Sequence, residues 1–265
     1  MENATIRLSY EEVLFILAAV NARTLPGLTP VTPTEPDAAI LGLLRDAGAR
    51  ALIARDLLVP TGDQLSLDRG LYALALACTR PDQLGILSLT QGDKPPVRIF
   101  SYRVPELSVR HEPEAFGVHR FQITANHDFG LGVALAALAQ LPANEPSSGG
   151  PWQVSLSQLS EAEIQARTDR VAAQAILSTL GLPTLCATQL AAAFAQADLN
   201  LVIELMSQIQ PEPRQSLIRV VAAAEHCWLF MGKSLNDPHV TIHMLSPNAA
   251  NQLIRQSFAP LGKPH

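Results

Sequence analysis

Two histidines near the end of the chain have the spacing found in helical zinc sites. His239 and His243 stand four residues apart in the stretch HVTIHML, and on a helix this spacing places two imidazoles on one face. The residues between them, however, alternate and include the β-branched types typical of a strand. In a strand the two side chains lie about 13 Å apart, too far to share a metal ion. We therefore predict a surface strand and no metal site.

A second candidate for chemistry is the stretch ANHDFGLG at residues 125–132, where His127 and Asp128 stand beside two glycines. The pair could form a catalytic His–Asp element or an anion-binding turn. An enzyme would be favoured by a deep pocket in which His119, His127 and Asp128 converge. A simpler interpretation is that Asp128 caps a helix and that the glycines meet the needs of the backbone.

The sequence motifs that accompany common enzyme and cofactor sites are missing. There is no Gly-Lys-Ser/Thr P-loop, no GxGxxG, no GxSxG and no CxxC. The carboxylates of SYEE and SEAE lie where helices are predicted to begin, and the helix dipole favours negative charge there. We therefore predict a protein that is not an enzyme, with no catalytic, cofactor-binding or metal-binding residues.

Composition indicates a globular chain with a large core. Of 265 residues, 48% are hydrophobic and 16% are charged, and the net charge is −5. With three lysines, the chain gives no reason to expect nucleic acid or a membrane surface as partner. Its three separated cysteines indicate buried free thiols in a reducing compartment. Because no signal peptide is visible and no apolar run exceeds eight residues, we expect a soluble cytoplasmic protein.

The first part of the chain is predicted to contain strands, helices and a hairpin. Ser9 and Glu12 form a capping box where a short strand passes into the first helix. Helices are predicted near 38–55 and 68–78, with an extended turn between them, and LGILSLTQGDKPPVRIFSYR predicts a hairpin. The run after Pro105 has a helical pattern. FGVHRFQITAN then predicts a strand, and DFGLGVALAALAQL predicts a helix.

Residues 38–80 also allow a winged-helix interpretation, with VPTGDQLSL as the wing. The segment mixes arginines with aspartates, namely Arg45, Arg50, Arg55, Arg69 and Arg80 with Asp46, Asp56, Asp63 and Asp68. Such alternation is more typical of a solvated, salt-bridged face than of a phosphate-binding one. A DNA-binding regulator is kept as an alternative that a basic face on these helices would favour.

The second part repeats this plan after a linker, PANEPSSGGP at 142–151. WQVSLSQLSEAEIQAR passes from strand to helix, with a second capping box predicted at Ser160 and Glu163. Helical patterns follow at 171–180, 187–197, 199–208 and 214–224. HCWLFMGKSLNDPHVTIHML predicts a second hairpin, and Pro247 suits the first turn of a last helix.

This repetition leads to the predicted fold. A strand-to-helix segment starts at Ile6 and again at Val154, and an outgoing hairpin strand starts at Val97 and again at Val240. The strands of either half alone would leave exposed edges. We predict an α+β protein of pseudo-twofold duplicated halves, 1–141 and 152–265, which share a central antiparallel sheet.

One apolar segment is a candidate for partner binding. In LNLVIELMSQI, at residues 199–209, the apolar side chains cover more than one face of a predicted helix. Leu201, Leu205 and Met206 could line a groove for a partner. The alternative is that this helix is buried in the second half.

The order of elements resembles that of the EspG family of ESX (type VII) secretion-associated proteins. The similar phrases are IRLSYEEVLFILAAV with the exit LPGL, ALIARDLLVPTGDQL, RPDQLGILSL and VTIHMLSPNAANQLI. The resemblance spans nearly the whole chain, and the few lysines and the proline-rich loop at 26–36 mark a divergent member. It implies a central antiparallel sheet flanked by helical bundles, and a cytoplasmic chaperone for a client protein, a small helical secretion substrate of the PE/PPE type. We expect such a chaperone to shield an apolar tip of its client until delivery. The resemblance fixes neither the contact residues nor the oligomeric state.

Overall fold

The computed structural model describes residues 4–28, 37–62, 64–124, 131–141, 149–208, 214–223, 226–233 and 237–258. These residues form eight α-helices and twelve β-strands, which confirms the predicted α+β class. The helices are α1 (Tyr10–Ala19), α2 (Ala38–Ala54), α3 (Arg69–Thr79), α4 (Leu131–Leu138), α5 (Leu156–Ala166), α6 (Arg170–Thr179), α7 (Thr184–Ala195) and α8 (Pro247–Phe258). The strands are β1 (Thr5–Ser9), β2 (Leu58–Thr61), β3 (Gln64–Leu67), β4 (Gln83–Gln91), β5 (Val97–Val104), β6 (Leu107–Pro113), β7 (Val118–Thr124), β8 (Gly149–Ser155), β9 (Leu199–Ser207), β10 (Arg214–Ala223), β11 (His226–Gly232) and β12 (His239–Leu245).

Ten of these strands form one large antiparallel sheet, as predicted. Their order is β1-β7-β6-β5-β4-β9-β10-β11-β12-β8, so β1 and β8 are the terminal strands. Strands β4 and β5 are neighbours, as are β11 and β12, which confirms the two predicted hairpins. Strands β2 and β3 form a separate two-stranded hairpin between α2 and α3.

Two segments predicted as helices are strands. Residues 199–208 and 214–224 contain β9 and β10, which pair with each other. In β9 every second residue from Leu199 to Leu205 is buried, which is the period of a strand. Apolar residues at intervening positions, such as Val202, let the same letters fit a helical period, and pairing with β10 decides between the two.

Three smaller predictions also need correction or placement. The run after Pro105 is not helical but forms β6. The capping box at Ser160 and Glu163 is wrong, because α5 already begins at Leu156 and its N-cap is Ser155. Of the predicted linker, 142–148 lie outside the described residues, and Gly149, Gly150 and Pro151 belong to β8.

The first compact unit comprises Met1–Gly85 and Arg98–Phe129. Its first helix begins with the predicted capping box: the Ser9 hydroxyl accepts from the N–H of Glu12, and the Glu12 carboxylate accepts from the N–H of Ser9. This carboxylate is buried and also accepts two hydrogen bonds from Nη1 of Arg55, at 2.8 and 3.0 Å. Nη2 of Arg55 donates to the carbonyl oxygen of Arg7. One guanidinium therefore connects α1, β1 and the end of α2.

Two glycines allow close approaches in this unit. A Cβ at Gly48 of α2 would overlap the backbone carbonyl of Glu11, so the two helices meet backbone to backbone. After α1 the chain turns through residues 25–28, which we call the exit loop. Gly27 in this loop has a φ of +83° and faces the ring of Phe100, which leaves no room for a Cβ.

The second compact unit comprises Ile86–Val97 and Gly130–His265. Its core lies between α5, α6 and α7 on one side and the inner faces of β10, β11, β12 and β8 on the other. Arg219 of β10 lies beside this core, with its side chain 22% exposed. Its guanidinium donates to both oxygens of Glu163 at 2.6 and 2.7 Å, donates to Asn200, and lies 5.8 Å from the ring centres of Phe194 and Phe230.

The order of elements repeats along the chain, in a register that differs from the predicted one. Each half has a strand, three helices, four consecutive strands and a helix, and the β2–β3 hairpin is additional in the first half. In the structure β5 of the first half is equivalent to β10 of the second, whereas the strand starts at Val97 and Val240 predicted that β5 is equivalent to β12. Helices α3 and α7 bury matching positions, offset by 116 residues: Leu71, Leu74, Ala75, Ala77 and Cys78 against Ala187, Leu190, Ala191, Ala193 and Phe194. A hydrogen bond just after each of these helices is also equivalent. The N–H of Asp82 donates to the carbonyl of Arg103, and the N–H of Asp198 donates to the carbonyl of Ala222.

Substituting Gly27→Ala is expected to destabilise the first unit. A Cβ would have to displace the Phe100 ring, and the backbone at φ +83° disfavours any L side chain. We expect a loss of about 2–4 kcal/mol in the free energy of unfolding, measured by urea denaturation. Gly181→Ala is the control, since its φ is +90° but its Cβ would meet open space. Equal effects of the two substitutions would show that the Phe100 contact contributes nothing.

Substituting Arg219→Lys is expected to lower the free energy of unfolding by about 2 kcal/mol at pH 7, because lysine cannot make the bidentate pair or the ring contacts. Burial opposes ionisation of Glu163, but the hydrogen bonds and charge of Arg219, aided by Arg167, outweigh it and lower the pKa of Glu163. A carboxylate whose pKa is lowered on folding stabilises the protein above its unfolded pKa of about 4.3. The difference between wild type and variant should therefore shrink as the pH falls from 5 to 3.

The matched control for this substitution is Arg7→Lys, because the Arg7 side chain is 66% exposed and pairs with Glu114 at 3.1 Å. Exposed ion pairs contribute about 0–1 kcal/mol. Urea denaturation across the pH range compares the two variants. An Arg219→Lys effect as small as that of Arg7→Lys, or one that does not change with pH, would contradict the role given to this pair.

Candidate partner-binding site

The structure divides the three predicted partner-binding residues between two faces of β9. Leu201 and Leu205 lie on one face, opposite Val220 and Ser216 of β10, and are 0% and 5% exposed. Met206 lies on the other face and is half-buried. The structure thus brings Leu201 and Leu205 together and separates them from Met206. Their part in partner binding stays a prediction, in which Met206 is the accessible member.

Exposed apolar side chains mark other positions. The most exposed of them are Leu43, Phe116, Ile164, Val171 and Leu185. Single exposed apolar residues are ordinary on protein surfaces and need no explanation. Phe116 differs from the rest because its side chain is 100% exposed and its backbone is in a disfavoured conformation.

Phe116 occupies the tip of the β6–β7 hairpin. A short 3₁₀ turn, Ala115–Gly117, joins the two strands, and the N–H of Glu114 donates to the carbonyl of Val118 at 2.7 Å. Phe116 has φ +60° and ψ 29°, the left-handed region that a bulky residue rarely adopts. In the described part of the chain, the other non-glycine residues with positive φ are Asn21 and Asp56, types that tolerate it. The fold alone gives no reason for a phenylalanine here.

Ion pairs hold the base of this hairpin. Glu112 pairs with Arg110 and Arg120, and Glu114 pairs with Arg120 at 3.3 Å and with Arg7 of β1 at 3.1 Å. The aromatic ring is therefore presented from a fixed base. We call Phe116 and these paired charges the hairpin tip. The sequence analysis missed it, although AFG between two alternating runs is the kind of signal that marks a turn.

The histidines are arranged differently from the predicted enzyme site. His119 lies against His111, with Nδ1 of His119 2.9 Å from Nε2 of His111, and both side chains are buried. His127 and Asp128 lie outside the described residues, so their convergence with His119 stays a hypothesis. His239 and His243 lie in β12, which confirms the predicted strand. Within the described ranges, no group of three or more His, Cys, Asp or Glu side chains could hold a metal ion.

The cysteines are free and buried in the structure. Burial raises the pKa of the Cys227 thiol to about 12, and it raises the pKa of the Cys78 thiol further. Reactive cysteines depend on a thiolate at neutral pH. These two thiols stay protonated there, which fits the structural role that the sequence predicted for them.

The segment of the winged-helix alternative contains the predicted helices α2 and α3 and the hairpin β2–β3. One of its arginines, Arg55, is bound to Glu12 and to the carbonyl of Arg7. This arginine is therefore turned toward the protein. The strands of the hairpin present Val59 and Leu65, which are about half exposed.

An open cleft of 740 Å³ lies in the second unit, beside the turn after β4 and the end of α4. Three of its polar side chains bind one another: Lys94 donates to Oε1 of Gln91, and Nε2 of Gln91 donates to Oε1 of Gln140. The cleft is wide and these groups do not converge on its space. We therefore assign no ligand to this cleft.

Among the described residues, no helix has the length and apolarity needed to cross a membrane.

Comparison with known proteins gives a likeness of fold. No protein-family model and no curated protein sequence matches the chain. A solved structure does match it: the Mycobacterium tuberculosis type VII secretion system chaperone EspG5 in complex with a PE25–PPE41 dimer. The match covers 95% of both chains with a TM-score of 0.64, at 10% sequence identity. The chain is therefore similar to this chaperone in fold, and its architecture is EspG-like.

Proposed function

We propose that this protein is a non-enzymatic chaperone or adaptor that binds a client protein and shields an apolar tip of it. The observation that carries the proposal is Phe116, a fully exposed aromatic side chain on a fixed hairpin with a disfavoured backbone. Strained residues of this kind concentrate at functional sites. The likeness to a chaperone solved with a bound protein dimer supports the same proposal.

The energetics of an aromatic anchor fit this role. Burying a phenylalanine removes about 150–250 Å² from water, which at about 25 cal/mol per Å² corresponds to about 4–6 kcal/mol before the costs of association. Residues that contribute most to interfaces are few, central and surrounded by polar groups that exclude water. The paired arginines and glutamates of the hairpin tip would form such a rim.

The shape and charge of the hairpin tip define the client surface that fits it. A single protruding ring requires a concave apolar site, such as the groove between two packed helices. Arg7 is the most exposed charged residue of the hairpin tip, so a carboxylate at the border of that groove would complement it. In this proposal the client is a small helical secretion substrate, held in the cytoplasm until delivery. In this proposal Met206 makes a further contact, while Leu201 and Leu205 support β9 from the core.

We also infer that the chain arose by internal duplication. The inference is supported by the repeated element order, by the matching buried positions of α3 and α7, and by the equivalent hydrogen bonds of Asp82 and Asp198. The halves proposed from sequence, 1–141 and 152–265, would be the two copies, with the second extended to Gly149, where β8 begins. The extra β2–β3 hairpin of the first half would be a later addition.

Substituting Phe116→Asn is expected to raise stability and weaken client binding together. Asparagine tolerates the left-handed conformation, so we expect the free energy of unfolding to rise by about 0.5–1 kcal/mol. Loss of the aromatic ring should raise the client Kd at least tenfold, by about 1.4 kcal/mol or more. Client is obtained by affinity purification of the tagged chain from its own cytoplasm and mass spectrometry, and the Kd is then measured by calorimetry.

Val171→Asn is the matched control, because Val171 is 76% exposed on α6, which belongs to the other compact unit. We expect it to leave the Kd unchanged, and Met206→Ser to weaken binding less than Phe116→Asn does. An unchanged Kd for Phe116→Asn would remove Phe116 as the anchor while leaving a chaperone role open. If the folded wild-type chain recovers no protein at near-unit stoichiometry, the proposal of a stable client complex fails.

A further inference from the structure

A buried polar chain in the first unit connects the exit loop to two histidines. The Tyr102 hydroxyl donates to the carbonyl oxygen of Pro26 at 2.6 Å and lies 3.3 Å from Nδ1 of His111. Nε2 of His111 lies 2.9 Å from Nδ1 of His119. In the described part of the chain, Nε2 of His119 is buried with no hydrogen-bond partner.

These contacts fix the proton positions when both imidazoles are neutral. Because the Tyr102 proton goes to Pro26, the Tyr102 oxygen is left to accept from Nδ1–H of His111. Nε2 of His111 then accepts from Nδ1–H of His119, which leaves a bare lone pair on Nε2 of His119. All the hydrogen bonds from His119 to Pro26 therefore point in one direction. The one atom left to accept a proton is Nε2 of His119, at the end farthest from the exit loop.

The surroundings of the pair are apolar or oppose a positive charge. The His111 ring stacks on Phe121 at 4.5 Å between centres and lies 5.5 Å from Phe100. On the same face the exposed Arg98 stands over Phe100, and it brings no negative charge that would stabilise an imidazolium. The thiol of Cys78, on α3, raises the pKa of the Tyr102 hydroxyl further, after burial has raised it most, so both groups stay neutral.

The other charged groups of the adjoining elements are engaged elsewhere. Cross-strand partners share a face, and His111 is opposite Phe100 and Phe121. The charged side chains at alternating strand positions are bound to other partners, namely Arg7, Arg103, Arg110, Glu112 and Arg120, and so is Glu12 of α1. The other charged residues of α1 and α3 are Glu11, which is half-buried, and Arg69, which is exposed. No carboxylate is recorded in contact with either imidazole in the described residues, so none is in place to stabilise an imidazolium.

We propose that the His111–His119 pair is a pH-sensitive latch on the exit loop, holding Pro26 through Tyr102 while both imidazoles are neutral and releasing the loop when the pair gains a proton. Protonation of Nε2 of His119 places a charge among buried rings, and a second proton would oppose the first across 2.9 Å. Opening toward water relieves both penalties. The exit loop is attached by the Tyr102 hydrogen bond, the Gly27–Phe100 contact and the burial of Leu25, so losing the first of these weakens its attachment.

The sign of the pH dependence follows from the direction of the pKa shifts. Burial, with the neighbouring His119, lowers the pKa of His111 to about 3, although the Pro26 carbonyl opposes this in part. Burial also lowers the pKa of His119. A solvated histidine has a pKa of about 6.5, so the closed latch is fully favoured above that pH. Below it, the equilibrium constant for opening should rise up to about tenfold per pH unit for each histidine involved.

The experiment is backbone hydrogen exchange of the full chain between pH 7.5 and 5, corrected for the intrinsic rate at each pH. We expect the opening constant at the amide of Leu28, which donates to the Leu25 carbonyl within the exit loop, to rise at least tenfold below pH 6.5. The amide of Ala187 in α7 should change far less. In the double variant His111→Phe/His119→Phe the loop should stay closed at pH 5, because both polar partners are replaced by rings of similar shape.

His239→Asn is the control, an exposed histidine in β12 whose loss should leave the pH dependence unchanged. Nuclear magnetic resonance titration of the wild-type imidazoles is the second measurement, which decides the matter if the double variant does not fold. Protonation of His119 or His111 in step with loop opening supports the latch. A wild-type loop whose opening does not change with pH, opening that persists in the double variant, or imidazoles that stay neutral while the loop opens would each overturn it.

Discussion

The arrangement of the first unit depends on one buried carboxylate. Glu12 begins as a helix cap, and its side chain is taken out of water by the packing of α1 against α2. A buried charge requires a partner, and losing that partner typically costs about 3–5 kcal/mol. Arg55 meets the requirement and reaches the backbone of β1 with its other nitrogen. The close approach at Gly48 keeps the two helices near enough for this contact, so cap, helix pair and strand are held by a single site.

Features set by local chemistry could be predicted from the sequence, whereas features set by pairing could not. The capping box at Ser9, the bounds of α2 and α3, and both hairpins follow from caps, periodicity and turn residues. Segment 199–208 fits both a helical and a strand period, and only its neighbour β10 makes it a strand. Strand β6 was missed because Pro105 was taken as a helix start, although a proline precedes turns as readily. The register of the internal repeat failed for the same reason, since it depends on which strand pairs with which.

The candidate site shows the same limit at the level of side chains. The apolar character of Leu201 and Leu205 is plain in the sequence, but it does not tell whether the two side chains face a partner or the protein interior. In the structure both are buried in the interior. What distinguishes Phe116 is its exposure and its backbone angle, and neither can be predicted before β6 and β7 are paired. His111 and His119 come together because β6 and β7 run antiparallel through a short turn. The two histidines are eight residues apart in the sequence, and this spacing alone does not predict their contact.

The terminal strands of the sheet limit how any protein can attach to this one. In many complexes an extended peptide adds to a free sheet edge through main-chain hydrogen bonds. Here the free side of β1 has its Arg7 carbonyl occupied by Arg55, and β8 carries Pro151, which has no N–H to offer. Neither edge presents an unbroken ladder of donors and acceptors, so chain-to-chain stacking of the kind that seeds fibres is also discouraged. Selectivity must then come from side chains that protrude. A peptide in an extended conformation finds no unbroken edge strand with which to pair.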